Sequence, residues 1–188
     1  MDDAHLSLNL IPHIEGGYFA ELDRNPLLIP NPFPTHALCT TRTAPTPLSG
    51  SNDVRNASTS IYYLLTPASP LGCLHRNLGR TVHTLIQGRG RYVIIHADEQ
   101  REGPSKRVES FVVGLDADKG ERSVWVVEGG KYKASFLLPW DGEERLLISE
   151  TVVPGFEYAD HDFLTMEGFA ELVSEEQRGE LEWLIRKA

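Results

Sequence analysis

Between residues 58 and 152 apolar and polar residues alternate in short runs, and clusters of turn-forming residues separate the runs. The runs are Ser60–Leu65, Leu71–Arg76, Val82–Ile86, Arg91–His96, Arg107–Val113, Ser123–Val127, Lys133–Leu138 and Leu146–Val152. Several are rich in Val, Ile, Tyr and Phe, which suit a pleated, half-buried surface. Gly88-Arg89-Gly90, Asp116-Ala117-Asp118-Lys119-Gly120, Glu128-Gly129-Gly130 and Asp141-Gly142 supply the turn chemistry between them. Many short strands at this spacing predict an all-β sandwich or barrel and argue against alternating strand–helix units.

The flanks read differently. Pro26, Pro30, Pro32, Pro34, Pro45 and Pro47 punctuate the stretch 25–51. Proline removes a backbone donor and fixes φ, so this stretch is expected to be a long excursion with one short strand around Ala37–Thr41. A lid, a dimer-contact arm and an ordered surface loop all fit it. At the other end, Ser174-Glu175-Glu176-Gln177 has the form of a capping box. Leu181, Leu184 and Ile185 follow at helical spacing, and Met166–Val173 reads as a preceding helix. The segment 166–187 is therefore expected to be helical and to pack on the outside of the β body.

Composition narrows the function classes. A chain of 188 residues suits one domain spanning 1–188 with a sizeable core. A net charge of −9 argues against a nucleic-acid partner, since a phosphate backbone would be repelled. Cys39 and Cys73 are too few for a disulfide framework and lack metal-finger spacing, which points to a reducing compartment. The first residues carry no basic leader, and no run approaches the roughly 18 apolar residues of a membrane span. The expectation is a cytoplasmic protein with no membrane partner.

Four segments then resemble a known family. Pro12-His13-Ile14-Glu15-Gly16-Gly17-Tyr18-Phe19 is similar to a PHPEGGYF opening, Ser58–Leu65 to a STAIYFLL strand, Leu74-His75-Arg76 to LHR, and Val153–Tyr158 to an APGFEF close. These mark the small, largely uncharacterised cupin family related to the RmlC-type sugar epimerases, and they occur in the family's order. The resemblance implies a cupin double-stranded β-helix, a jelly-roll barrel, usually a homodimer, with a small-molecule pocket in the barrel mouth. It does not imply one reaction, because cupins include isomerases, dioxygenases, lyases and storage proteins.

Against the family pattern the metal site reads as dismantled. Cupin metals are held by two or three histidines and a glutamate from neighbouring strands. Counting back from Gly88 places Thr81 at the glutamate position, His83 at a tryptophan and Thr84 at the next histidine. Lys133 stands where the second motif has its histidine. An ammonium has no lone pair for a metal, so no cofactor is expected; a weak His75/His83 remnant site stays open as an alternative. Positions 81 and 83 alternate onto one strand face, so His83 and Thr81 are expected to share the interior.

What remains is acid–base chemistry. His75 and His83 titrate near neutrality when unperturbed and suit a general base. Tyr62, expected inside with Tyr63 outside, and Lys133 complete the candidate catalytic set; Lys133 would polarise a carbonyl or bind a carboxylate. Arg76, Thr81, Tyr132, Tyr18, Phe156 and Glu15 are candidate substrate-binding residues. Each has a plainer reading. Arg76 also suits an ion pair to Glu15 or Asp116, Tyr18, Phe19 and Phe156 suit walls or core, and His83 suits simple packing in place of an indole. Glu15 and His13 fit a dimer contact or turn equally well. His36, His96 and His161 read as surface residues, and Cys73 as an inert thiol. Gly16-Gly17 opens no helix and is no phosphate loop. The expectation is a metal-independent isomerase, epimerase or cyclase acting on a small metabolite, with a non-catalytic binding cupin and a metal-dependent cupin as competing readings.

Overall fold

The structure is a computed structural model and describes residues 7–33, 46–100, 103, 105–139 and 144–187. Every run named above forms a strand, with ends shifted by two residues or fewer. These are β5 (Thr59–Leu65), β6 (Leu71–Asn77), β7 (Arg80–Gly88), β8 (Gly90–Ile95), β9 (Val108–Val113), β10 (Val124–Val127), β11 (Tyr132–Leu137) and β12 (Leu146–Val153). The expected strand at 37–41 lies outside the described residues. Short strands unexpected from the sequence are β1 (Ile11–Pro12), β2 (Tyr18–Arg24), β3 (Leu28–Pro30), β4 (Val54–Asn56) and β13 (His161–Phe163). β3 pairs only with β4, at the base of the proline-rich excursion, and Pro30 ends it.

Two antiparallel sheets face each other, ordered β1-β2-β5-β12-β7-β10 and β13-β6-β11-β8-β9. Sequence neighbours repeatedly lie in opposite sheets, the winding of a cupin jelly roll. The interior takes every second residue of each strand. Tyr63, Leu65, Leu85, Tyr92, Ile94, Phe111, Val113, Trp125, Val127, Leu146 and Ile148 form the apolar core between the sheets. The alternate residues of β8 and β11, among them Val93, Ile95, Tyr132 and Ala134, point away from that core. They are covered by α1 (Met166–Leu172) and α2 (Glu175–Leu181) and the turn after them, through Phe169, Leu184 and Ile185. Coverage on both faces explains why β8 reads as a nearly unbroken apolar run. Ser174 caps α2 in a full capping box with Gln177, as its sequence predicts.

On the far side of the six-stranded sheet, Leu10 and Leu8 cover Leu64, Leu147, Tyr18 and Tyr62. The sequence expectation for the tyrosine pair is therefore reversed: Tyr63 is inside at 3% exposure and Tyr62 lies on the outer face. One step of register exchanges the two faces, and only the pairing of β5 with β2 and β12 sets it. Among the described residues no helix is long and apolar enough to cross a membrane.

The helical cover should be energetically coupled to the barrel. Phe169→Ala removes a ring that is 1% exposed and should lower the unfolding free energy by about 3–5 kcal/mol, read as a fall in the urea midpoint at unchanged m.

Candidate functional site

One end of the barrel interior is polar where the other is apolar. The residues responsible occupy the same inward alternation as the core. On β12 the inward positions run Leu146, Ile148, Glu150 and Val152, and on β11 Lys133 and Ser135 face in while Tyr132 and Ala134 face the helices. Lys133 is 1% exposed, His83 0% and Glu150 8%. Lys133 Nζ donates to Glu150 Oε2 at 3.1 Å and lies 3.2 Å from His83 Nε2. Glu150 Oε2 is 3.4 Å from the same imidazole nitrogen. The Tyr92 hydroxyl lies 2.9 Å from His83 Nε2, and the His83 ring stacks on Trp125 at 4.9 Å.

The pairing fixes the protonation pattern. Burial pushes the His83 imidazole down and the neighbouring Lys133 charge pushes it further, so it is neutral. Burial alone would raise Glu150, but Lys133 and His83 outweigh it and hold the carboxyl well below the usual range. Burial drives the Tyr92 phenol well up, so it stays protonated and donates to His83.

A second cluster centres on Glu15. His161 Nε2 lies 2.9 Å from Glu15 Oε1, and His75 Nε2 and His13 Nδ1 lie 3.3 and 3.4 Å from Oε2. Burial acts to raise Glu15, yet His75, His13 and His161 together hold it well below its ordinary value. Burial lowers His75 from 6.5 to about 3, and its Nδ1 contacts the Cys73 carbonyl at 2.8 Å. Glu15 reaches this place because of the two glycines after it. Gly16 and Gly17 have φ of +99° and +67°, and a Cβ on Gly16 would sit 2.0 Å from the Leu71 carbonyl oxygen. That tight approach lets Cys73 N–H donate to the Glu15 carbonyl at 2.7 Å and the Tyr63 hydroxyl to the Gly16 carbonyl at 2.9 Å.

Both carboxylates open onto one cavity of about 430 Å³. His13, Glu15, Asn77 and Glu150 form its polar wall, Phe19, Ile61, Val152 and Phe156 its apolar wall, and Arg24 and Glu21 also line it. Of the residues the sequence singles out, the structure thus brings together Glu15 with His75, and His83 with Lys133, while Phe156 lies on the cavity wall. Thr81 is buried beside this region at 1% exposure but does not line the cavity.

Four candidates lie elsewhere. Tyr62 and Tyr18 pack on the outer face of the six-stranded sheet. Arg76 makes a bidentate pair with Asp162 at 3.0 and 2.6 Å, in place of the Glu15 or Asp116 expected, and lies over the Tyr132 ring. Tyr132 donates to the same Asp162 and belongs to the layer under the helices. His161 and His96, expected at the surface, are buried, with side chains 4% and 6% exposed; His36 lies outside the described residues. Glu150, Tyr92 and the role of His161 escaped the sequence reading. Glu150 had a signal, being the one charged residue on an otherwise apolar inward face of its strand. His161 had none, since the chain returns to Glu15 only through folding.

The donor set does not fit a divalent ion where the family resemblance implies one. The Lys133 ammonium stands between the Glu150 carboxylate and the His83 imidazole, within hydrogen-bonding distance of both, and offers no lone pair. Around Glu15 the imidazole nitrogens lie against the carboxylate oxygens themselves. Among the described residues no group of three or more His, Cys, Asp or Glu side chains is arranged to hold a metal.

The fold and site together define a cupin-type jelly-roll barrel whose polar interior holds a buried lysine behind the wall of a cavity. Residues 5–164 match the model of one family, the Cupin superfamily (DUF985), and the chain belongs to that family. It is 45% identical over 179 residues to an uncharacterised protein of Saccharomyces cerevisiae, covering 93% of this chain and 81% of that one. A hypothetical protein from Leishmania major superposes with a TM-score of 0.67 at 26% identity, over 96% of this chain and 93% of its own. A Shewanella oneidensis protein gives 0.69 at 21% identity over 100% and 98%, a likeness of fold.

Two measurements probe the pocket. Lys133→Met should destabilise by about 3–5 kcal/mol, because it strands Glu150 as a buried charge, and adding Glu150→Gln should recover most of the loss. The urea midpoints of the two variants decide this. The native His75 value is depressed, so below 6.5 the unfolded chain binds the extra proton and the native state does not. Its contribution is retained above 6.5 and lost as pH falls toward about 3. Unfolding free energy measured from pH 7 downward should therefore fall across that window, and His75→Asn should flatten the slope.

Proposed function

We propose that the barrel binds a small metabolite and isomerises it by proton transfer from the protein's own side chains. The observation that carries this reading is the convergence of His13, Glu15 and Glu150 on one cavity, each backed by a second buried ionisable group. The His13 imidazole on the cavity wall, in its unprotonated form, can accept a proton from a carbon beside a carbonyl. Glu15, ionised and 3.4 Å away, would stabilise the imidazolium that results. One histidine that removes and returns a proton on the same face suffices for a 1,3-shift. His75 and His161 then act as positioning residues that hold Glu15. Lys133 and His83 do the same for Glu150. This reading moves the proton-transfer role from His75 and His83, which sit behind the carboxylates, to His13 in front of them.

One observation favours a second reading, a binding protein without turnover. Glu15 already contacts three imidazoles and Glu150 an ammonium and an imidazole, and carboxylates so well satisfied are weak bases. The two readings separate on the ligand that co-purifies with the protein. Under the enzyme reading it is converted on incubation, and His13→Gln lowers kcat by about 10²–10⁴-fold with the fold intact by circular dichroism. Recovery of a single unchanged ligand, with turnover of no candidate metabolite, would leave the binding reading in possession.

A further inference from the structure

The charges facing the cavity have one dominant sign, and they restrict what can enter it. Among the described residues, Glu15, Glu150 and Glu21 line it against one guanidinium, Arg24. Arg24 is already spent: it donates to Glu21 at 3.0 and 2.8 Å, to Asn56 at 3.1 Å, to the Phe156 carbonyl at 3.3 Å and to Glu157 at 3.4 Å. The Lys133 ammonium is not available either, since it lies behind Glu150 and off the cavity lining. By contrast the amide oxygen of Asn77, a wall residue 7% exposed, has no hydrogen-bond partner among the described residues. The polar wall therefore offers ionised carboxylates, with no cation among the described residues left to pair an incoming anion. Around it stand three aromatic rings, Phe19, Phe156 and Tyr158, the last two edge-to-face at 5.1 Å.

We infer that the cavity takes a small organic cation, a protonated amine carried on an apolar body, and rejects anionic metabolites such as sugar nucleotides and carboxylates. The ammonium would sit between the Glu15 and Glu150 carboxylates. Its apolar body would lie against the rings, whose faces also attract a cation. An anion would have to displace Arg24 from four partners or remain unpaired beside two buried carboxylates, which is strongly unfavourable. The inference rests on the cavity being the functional pocket, as proposed above, but not on turnover.

Isothermal titration calorimetry on the full chain tests it with matched probes that differ only in the charged end. The sets are tyramine, tyrosol and 4-hydroxyphenylacetate, and cyclohexylmethylamine, cyclohexylmethanol and cyclohexanecarboxylate. The amine of at least one set should bind about tenfold or more tighter than its alcohol, with the carboxylate weakest. Glu15→Gln and Glu150→Gln should each weaken the amine about tenfold and leave the alcohol unchanged. A carboxylate or alcohol that binds as tightly as its amine overturns the inference. So does the absence of amine binding at millimolar concentration in both sets. If the glutamine variants fail to fold, the wild-type comparison decides alone. Amine binding without conversion would retain the ligand class and remove the acid–base reading. Conversion of an anionic metabolite would do the reverse.

Discussion

The contact between Lys133 and Glu150 ties the two sheets of the barrel together at its polar end. Lys133 comes from β11 of one sheet and Glu150 from β12 of the other, and both are almost wholly removed from water. Neither charge is tolerable there alone, because the desolvation cost of each exceeds what hydrogen bonding to neutral groups returns. Together they set the state of everything near them. The ammonium keeps His83 neutral, a neutral His83 accepts from Tyr92, and His83, Tyr92 and Trp125 carry the arrangement into the apolar core through ring contacts of 4.9 to 5.2 Å. The lysine thus sets a positive charge directly against the carboxylate inside the barrel.

Glu15 is organised on a different principle. No cation is committed to it; three imidazoles from three parts of the chain surround it, delivered by the loop after β1, by β6 and by β13. The imidazoles of His75, His13 and His161 together hold the carboxylate ionised. The cavity therefore meets one carboxylate paired with an ammonium and one ringed by imidazoles. That asymmetry underlies both the acid–base reading of His13 and the preference for a cationic ligand.

Much of the fold was legible in the sequence because its signals are local. Alternation of apolar residues over five to seven positions located β5 to β12, and the Ser174–Gln177 box located the last helix. The short strands β1 to β4 and β13 were not legible, since two to seven residues bounded by Pro and Gly carry too little periodicity. The site was legible in part. The family resemblance and strand alternation placed His75, His83 and Lys133 in the interior. The same reasoning put Tyr62 inside and left Arg76 and Tyr132 in the pocket. A face assignment of that kind depends on register, and β11 shifts register against β6 between Lys133 and Ser135.

By itself, then, the sequence determined the strands and the jelly-roll class, because each follows from residue type and spacing within single segments. Tertiary structure alone decided the partners. Glu150 meets Lys133 across two sheets, and His161 meets Glu15 across 146 positions of chain. Such meetings depend on the winding of the barrel and on the left-handed glycines at 16 and 17, which aim Glu15 inward. No periodicity within one strand encodes them.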